Sequence, residues 1–149
     1  MDASVVGAIS SAATFHHIGF VVSSIDNSVQ GFVQTLQSEW DGKIFHDPNQ
    51  VVRVTFLHAK QPASPVVELV EPAGENSPVI PFLKRGGGLH HLCYEIDDLE
   101  EQLRLSRSQG GLVVRPPMPA VAFEGRRIAW VYTKSKLLLE YLERHKKPV

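Results

Sequence analysis

The chain has 149 residues, of which 43% are hydrophobic and 21% charged, a composition suited to one globular domain or two very small modules. Lys plus Arg total 15 against 16 for Asp plus Glu, and a net charge of −1 lacks the electrostatic footprint of a nucleic-acid binder. The single cysteine, Cys93, excludes an intramolecular disulfide and a Cys-based zinc knuckle.

No apolar run approaches the ~20 residues that a membrane helix needs, and no basic region precedes the N-terminal apolar stretch. The expectation is a cytoplasmic protein with no membrane and no nucleic-acid partner. Residues 1–14, rich in Ala and Ser, read as a flexible arm. Residues 15–23 alternate and favour β-branched and aromatic types, which predicts a strand. Ser24 caps a helix whose apolar residues Val29, Phe32, Val33 and Leu36 recur at helical spacing. Segments 51–59 and 65–71 read as strands around a Gln61-Pro62-Ala63-Ser64 turn. Ser77 and Pro78 read as N-cap and first helical residue of a linker helix over about 77–85. Gly86, Gly87 and Gly88 end it as a flexible connection, and since a strand follows them they are no P-loop. A strand over 89–97 leads into a helix with a capping box at Asp98 and Glu101, stopped near Gly110 and Gly111. Strands near 112–115, 127–133 and 137–143 complete the chain.

Two segments repeat. Residues 15–29, FHHIGFVVSSIDNSV, fall on 89–103, LHHLCYEIDDLEEQL, at an offset of 74; residues 67–71, VELVE, fall on 139–143, LEYLE, at an offset of 72. Two matches at nearly the same offset indicate duplication. The fold class expected is α+β: two tandem βαβββ modules, 15–72 and 89–143, within one domain over 15–149. Their sheets are expected to curve around a shared metal-binding cleft.

Each half opens with a His-His strand, His16-His17 or His90-His91, and closes with a strand carrying a glutamate, Glu68 or Glu140. Side chains alternate along a strand, so one His of each pair faces a given pocket. Two imidazoles and two carboxylates suit one divalent metal ion such as Co, Ni, Zn or Mn, with positions left for water or substrate. Taken singly, a strand His is more often a hydrogen-bonded core or surface group. Recurrence of both types in both halves is what favours the metal reading. His46, His58 and His145 lie outside the repeat and read as surface residues, and Cys93 as a buried small hydrophobe.

These residues resemble the vicinal oxygen chelate superfamily, which includes glyoxalase I, dioxygenases, antibiotic-resistance proteins and the methylmalonyl-CoA epimerases. The epimerases are the most similar. The stretches that carry the resemblance are His17-Ile18-Gly19, VELVEP at 67–72, ENSPVIPFLKRGGGLHHLCYEIDDLE at 75–100 and GRRIAWVYTKSKLLLEYLE at 125–143. The resemblance implies that His17, Glu68, His91 and Glu140 are the metal ligands, with Glu140 also the catalytic base and Glu68 a second proton carrier. By implication His16 and His90 face away and are dispensable for the metal. In some epimerases the strand before the second ligand carries a further glutamate. Here it reads VVRVTFL over 51–57, with Arg53 nearest in position. Arg53 suits bidentate recognition of a substrate carboxylate; the alternative is a solvated strand residue. Arg126, Arg127, Lys134 and Lys136 read as a solvated face before an acyl-CoA phosphate site.

The function so implied is a divalent-metal-dependent isomerase that removes a proton α to a carbonyl or thioester, acting on a small molecule such as an acyl-CoA. The alternatives are a glyoxalase I-like lyase and a non-catalytic, resistance-type binding protein. Open sheet edges point to a homodimer.

Overall fold

The computed structural model describes residues 13–145. The fold is α+β and carries the βαβββ plan twice. Most of the proposed arm, 1–12, lies outside the described residues, while Ala13 and Thr14 already belong to the first strand. In order, the elements are β1 (Ala13–Val21), α1 (Ile25–Leu36), β2 (Ser38–Glu39), β3 (Phe45–Asp47), β4 (Val52–Ala59), β5 (Val66–Pro72), α2 (Ile80–Lys84), β6 (Gly88–Ile96), α3 (Leu99–Ser108), β7 (Leu112–Pro119), a 3₁₀ turn (Val121–Phe123), β8 (Arg127–Tyr132) and β9 (Leu138–Glu143). They form two compact units whose limits do not follow the module ends. One unit comprises residues 17–91 with 120–125, and the other 13–16, 92–119 and 126–145.

In the first unit, β5 runs parallel to β1, with Gly19 opposite Glu68, and antiparallel to β4, with Phe56 opposite Glu68. The short strands β2 and β3, which the sequence reading missed, pair with β4. Both faces of this sheet are covered. On one face α1 packs Ile25 and Val29 against Leu57, Val67 and Leu69. On the other, Val21, Val52, Val54 and Val70 gather with Val79, Phe45, Phe56 and Phe82. Two covered faces explain why β5 is buried over five successive residues rather than alternately. Ser24 caps α1 as expected, accepting the Asn27 N–H at 3.2 Å.

The linker helix is shorter than predicted. It begins at Ile80 with Val79 at its N-cap, and the Ser77 hydroxyl is buried without a hydrogen-bond partner. The Ile80 N–H bonds back to the Ser77 carbonyl as an i→i+3 turn, and the i→i+4 pattern begins with Leu83 N–H on the Val79 carbonyl. Gly86, Gly87 and Gly88 all adopt positive φ, at 122°, 69° and 97°. A β-carbon at Gly87 would lie 2.8 Å from the Val21 carbonyl oxygen, so the run is a shaped turn, not a slack connection.

In the second unit, β9 runs parallel to β6, with Cys93 opposite Glu140, and antiparallel to β8, which in turn pairs with β7. Helix α3 packs Leu99 and Leu103 against Ile96, Ala129, Val131 and Tyr141. Strand β7 extends past the expected 112–115 to Pro119, with register shifts around Arg115 and Met118. Pro116 and Pro117 lack the N–H that the ladder needs, which the outermost strand of the unit tolerates. Half of the expected capping box is present. Asp98 Oδ1 accepts the Glu101 N–H at 3.0 Å, but the Glu101 carboxylate turns to Arg104 instead of reaching back. Asp98→Ala is therefore expected to lower stability by about 1 kcal/mol, while Glu101→Ala, which removes any side chain able to reach back, leaves the urea midpoint nearly unchanged. A fall in midpoint for both variants would restore the reciprocal box.

Candidate metal centre

In the first unit three strands deliver three side chains to one point. β1 supplies His17, β5 supplies Glu68 and the start of β6 supplies His91, exposed by only 0%, 4% and 3%. His17 Nε2 lies 3.2 Å from His91 Nε2 and 3.5 Å from Glu68 Oε1, and His91 Nε2 lies 3.2 Å from the same oxygen. Donor atoms bound about 2.1 Å from one cation, at mutual angles of about 90–110°, stand about 3.0–3.4 Å apart. Two of the observed separations, both 3.2 Å, fall within that range, and the third, 3.5 Å, lies 0.1 Å beyond it. The chemistry of the donors fits as well, since a buried carboxylate is unfavourable without a compensating charge. A divalent cation supplies that charge and uses the lone pairs of all three atoms.

The surroundings are apolar and aromatic. The Phe123 ring stacks on His17 at a centroid distance of 6.0 Å and an interplanar angle of 24°. Phe56 meets His17 edge-on at 5.7 Å and touches Phe123 at 5.6 Å. Phe123 arrives on the 3₁₀ turn, far away in sequence. Buried Asp47 anchors that turn: Oδ2 accepts the Val121 N–H at 3.2 Å, and Oδ1 accepts the Asn49 and Gln50 N–H groups. Sequence reading missed Phe56 and Phe123. Phe56 follows from the β4–β5 register once Glu68 is assigned, whereas nothing local marks Phe123.

Gly19 is part of the site through what it lacks. A β-carbon there would lie 2.0 Å from Cε1 of His91 and 2.4 Å from its Nε2. The glycine that follows His17-Ile18 leaves room for the second imidazole.

The remaining candidates are placed as follows. Arg53 does not join the cluster. It lies three residues from Phe56, on the opposite face of β4, and its guanidinium sits 3.2 Å from Glu71 Oε1. Glu71 also accepts the Ile25 N–H at the start of α1, at 2.7 Å. His16 belongs to the second unit, 3.8 Å from Glu95. Arg126 pairs with Glu95, and Arg127 with Glu143 and Glu100; these carboxylate contacts hold the Arg127 pKa above its ordinary value. His46, His58 and His145 are exposed, as expected. Glu140 is 3% exposed on β9 of the second unit. Its ladder position there, opposite Cys93, is the counterpart of Glu68 opposite Gly19 in the first.

Gly19→Ala is expected to displace the His91 ring and to lower stability by about 1–3 kcal/mol through overpacking. Gly31→Ala, on an open face of α1 with nothing within 4 Å, should raise it by about 0.5–1 kcal/mol. Denaturant midpoints and the His91 ring resonances check both. A Gly19→Ala protein with unmoved His91 resonances would show that the glycine is not there for the imidazole.

Residues 16–130 match the Glyoxalase/Bleomycin resistance protein/Dioxygenase superfamily. The chain is 26% identical over 121 residues to the ethylmalonyl-CoA/methylmalonyl-CoA epimerase of Cereibacter sphaeroides, a match covering 80% of this chain and 87% of that protein. It is 36% identical over 121 residues to YqjC, an uncharacterized protein of Bacillus subtilis, covering 77% and 79% of the two chains. The crystal structure of methylmalonyl-CoA epimerase from Mycobacterium tuberculosis is similar with a TM-score of 0.74 at 26% identity, covering 89% of this chain and 88% of that one. With most of its length matched and its two βαβββ modules in place, the chain belongs to the Glyoxalase/Bleomycin resistance protein/Dioxygenase superfamily.

Proposed function

We propose that the protein is a divalent-metal-dependent isomerase of the epimerase type, which exchanges the proton α to the carbonyl of an acyl thioester. The observation that carries this reading is the convergence of His17 Nε2, His91 Nε2 and Glu68 Oε1 within 3.5 Å of one another in a buried, aromatic-walled setting. Glu140 is the fourth member of the proposed set and comes from the second unit. It is supported by the internal repeat, in which Glu140 stands to β6 as Glu68 stands to β1. The names of the relatives point the same way, since several are methylmalonyl-CoA epimerases.

A proton α to a thioester is weakly acidic. His17, Glu68, His91 and Glu140 would hold the cation, which would supply Lewis-acid stabilisation of the enolate that forms on loss of that proton. This chain's own residues do the rest. In this reading Glu140 takes the α-proton on one face, as a carboxylate in a largely apolar site is suited to do. Glu68 is the group that returns a proton on the other, and inversion at the α-carbon requires two such groups. Phe56 and Phe123 keep water from the imidazole side, which strengthens electrostatic interactions there. Strand β4 carries Phe56 opposite Glu68 and no acid, which supports Glu68 as the second proton carrier. A glyoxalase I-like lyase remains the second reading, because a His/Glu/His/Glu set with paired proton-carrying carboxylates serves that chemistry equally.

Incubation of the metal-loaded protein with methylmalonyl-CoA in deuterated water should show α-deuterium incorporation by NMR. Chelation should abolish it, and Co should restore it. Glu140→Gln is expected to retain part of the metal while losing exchange by about 10²–10⁴-fold. Wild-type exchange in Glu140→Gln would remove Glu140 as the base. Turnover of a hemithioacetal without any exchange on acyl-CoA would shift the assignment to the lyase.

A further inference from the structure

His90 and His91 are neighbours on a strand whose side chains alternate, so a ligand role for His91 sends His90 elsewhere. Their rings nevertheless meet. Nδ1 of His90 lies 2.8 Å from Nδ1 of His91, with the ring planes at 88°. His90 is itself held, since the Phe82 ring packs against it at 4.8 Å and 74°. Phe82 belongs to the apolar cluster around Val21, Val54 and Val70. The positive-φ glycines between α2 and β6 turn the chain so that His90 comes back over Phe82.

A neutral imidazole has one N–H and one acceptor nitrogen. His91 Nε2 points at His17 Nε2 and Glu68 Oε1, and a cation ligand at that nitrogen requires a lone pair. With a cation there, the ring proton lies on Nδ1, within hydrogen-bonding distance of His90 Nδ1. We propose that His90 is a positioning residue: it accepts the His91 Nδ1–H, and so fixes both the tautomer and the direction of the metal-binding ring. Its own proton consequently lies on Nε2. Outer partners of this kind set the basicity and aim of a ligating imidazole. This role rests on the proposed metal reading, because a cation at Nε2 is what leaves the His91 proton on Nδ1; without one, Glu68 Oε1 can only accept and favours a proton on Nε2.

Proton and ¹⁵N spectra of histidine-labelled, Zn-loaded protein test the hydrogen bond, at a pH well above the ordinary histidine range. Wild type should show a downfield, slowly exchanging His91 Nδ1–H. His90→Ala should move that proton upfield and speed its exchange with water. His90→Asn, whose amide oxygen stands near the place of Nδ1, should keep the wild-type signal, and His90→Gln should not. Calorimetric titration with Co should show about a 10–100-fold weaker affinity for His90→Ala, restored to within a few-fold in His90→Asn and unchanged in His16→Ala. An unaltered His91 Nδ1–H signal or a wild-type Co affinity in folded His90→Ala overturns the proposal and leaves the metal reading intact. Should His90→Ala fail to fold, the Asn and Gln variants decide, and equal signals in the two overturn it. A wild-type protein that takes up neither Zn nor Co ends the metal reading and this role with it.

Discussion

Glu68 is 4% exposed, and its Oε1 faces two imidazole nitrogens that are as deeply buried. Stripping water from an ionised carboxylate costs several kcal/mol unless a positive charge or a set of hydrogen bonds replaces it. The first unit is arranged around that requirement. Three strands hold the donors at separations that suit a common cation. Gly19 gives up its side chain so that His91 can enter. Phe56 and Phe123 raise the stakes by keeping the environment apolar, which makes a bound cation more effective and an absent one more costly. Asp47 then appears as part of the same arrangement, because it pins the turn that carries Phe123.

Strand alternation sorts residues of one type into different tasks. The segment VELVE contains Glu68 and Glu71, three residues apart and therefore on opposite faces of β5. Glu68 joins the imidazoles. Glu71 accepts the first N–H of α1 and pairs with Arg53, fastening helix to sheet. The second module carries the same division, with Glu140 buried and Glu143 bound by Arg127. The repeat thus preserves a structural glutamate and a candidate functional one at the same spacing. Arg53, which by sequence stands nearest to an additional acid of related enzymes, has its charge engaged on the helix side of the sheet.

The adjacent histidines qualify the use of parity. Alternation starts His90 and His91 on opposite faces of the strand, but it describes where side chains start and not how far their rings reach. Ring nitrogens close to the backbone can meet between neighbours, as those of His90 and His91 do at 2.8 Å. A residue that starts on the other face can still touch one inside the site.

Much of the architecture was legible in the amino-acid sequence. Offsets of 74 and 72 foretold two like modules, and the ladders repeat them, with Gly19 opposite Glu68 and Cys93 opposite Glu140. Caps at Ser24 and Asp98 were readable because capping is a local hydrogen bond between a short side chain and a nearby N–H. The sequence also narrowed each His-His pair to one inward residue, since alternation is a property of the strand itself. Only tertiary packing decided the rest. Strands β2 and β3, of two and three residues, are too short for a period and exist through pairing with β4. The helix starts at Ile80 because the chain leaves Ser77 in an i→i+3 turn before the i→i+4 pattern begins at Val79. Phe123 reaches His17 through a turn anchored by Asp47, a contact between residues distant in the chain that no local pattern encodes. The His90–His91 contact depends on three glycines at positive φ and on Phe82 beneath the ring. Periodicity and caps are set by neighbours along the chain, whereas the aim of a ring and the dryness of a site are set by whatever the fold packs against them.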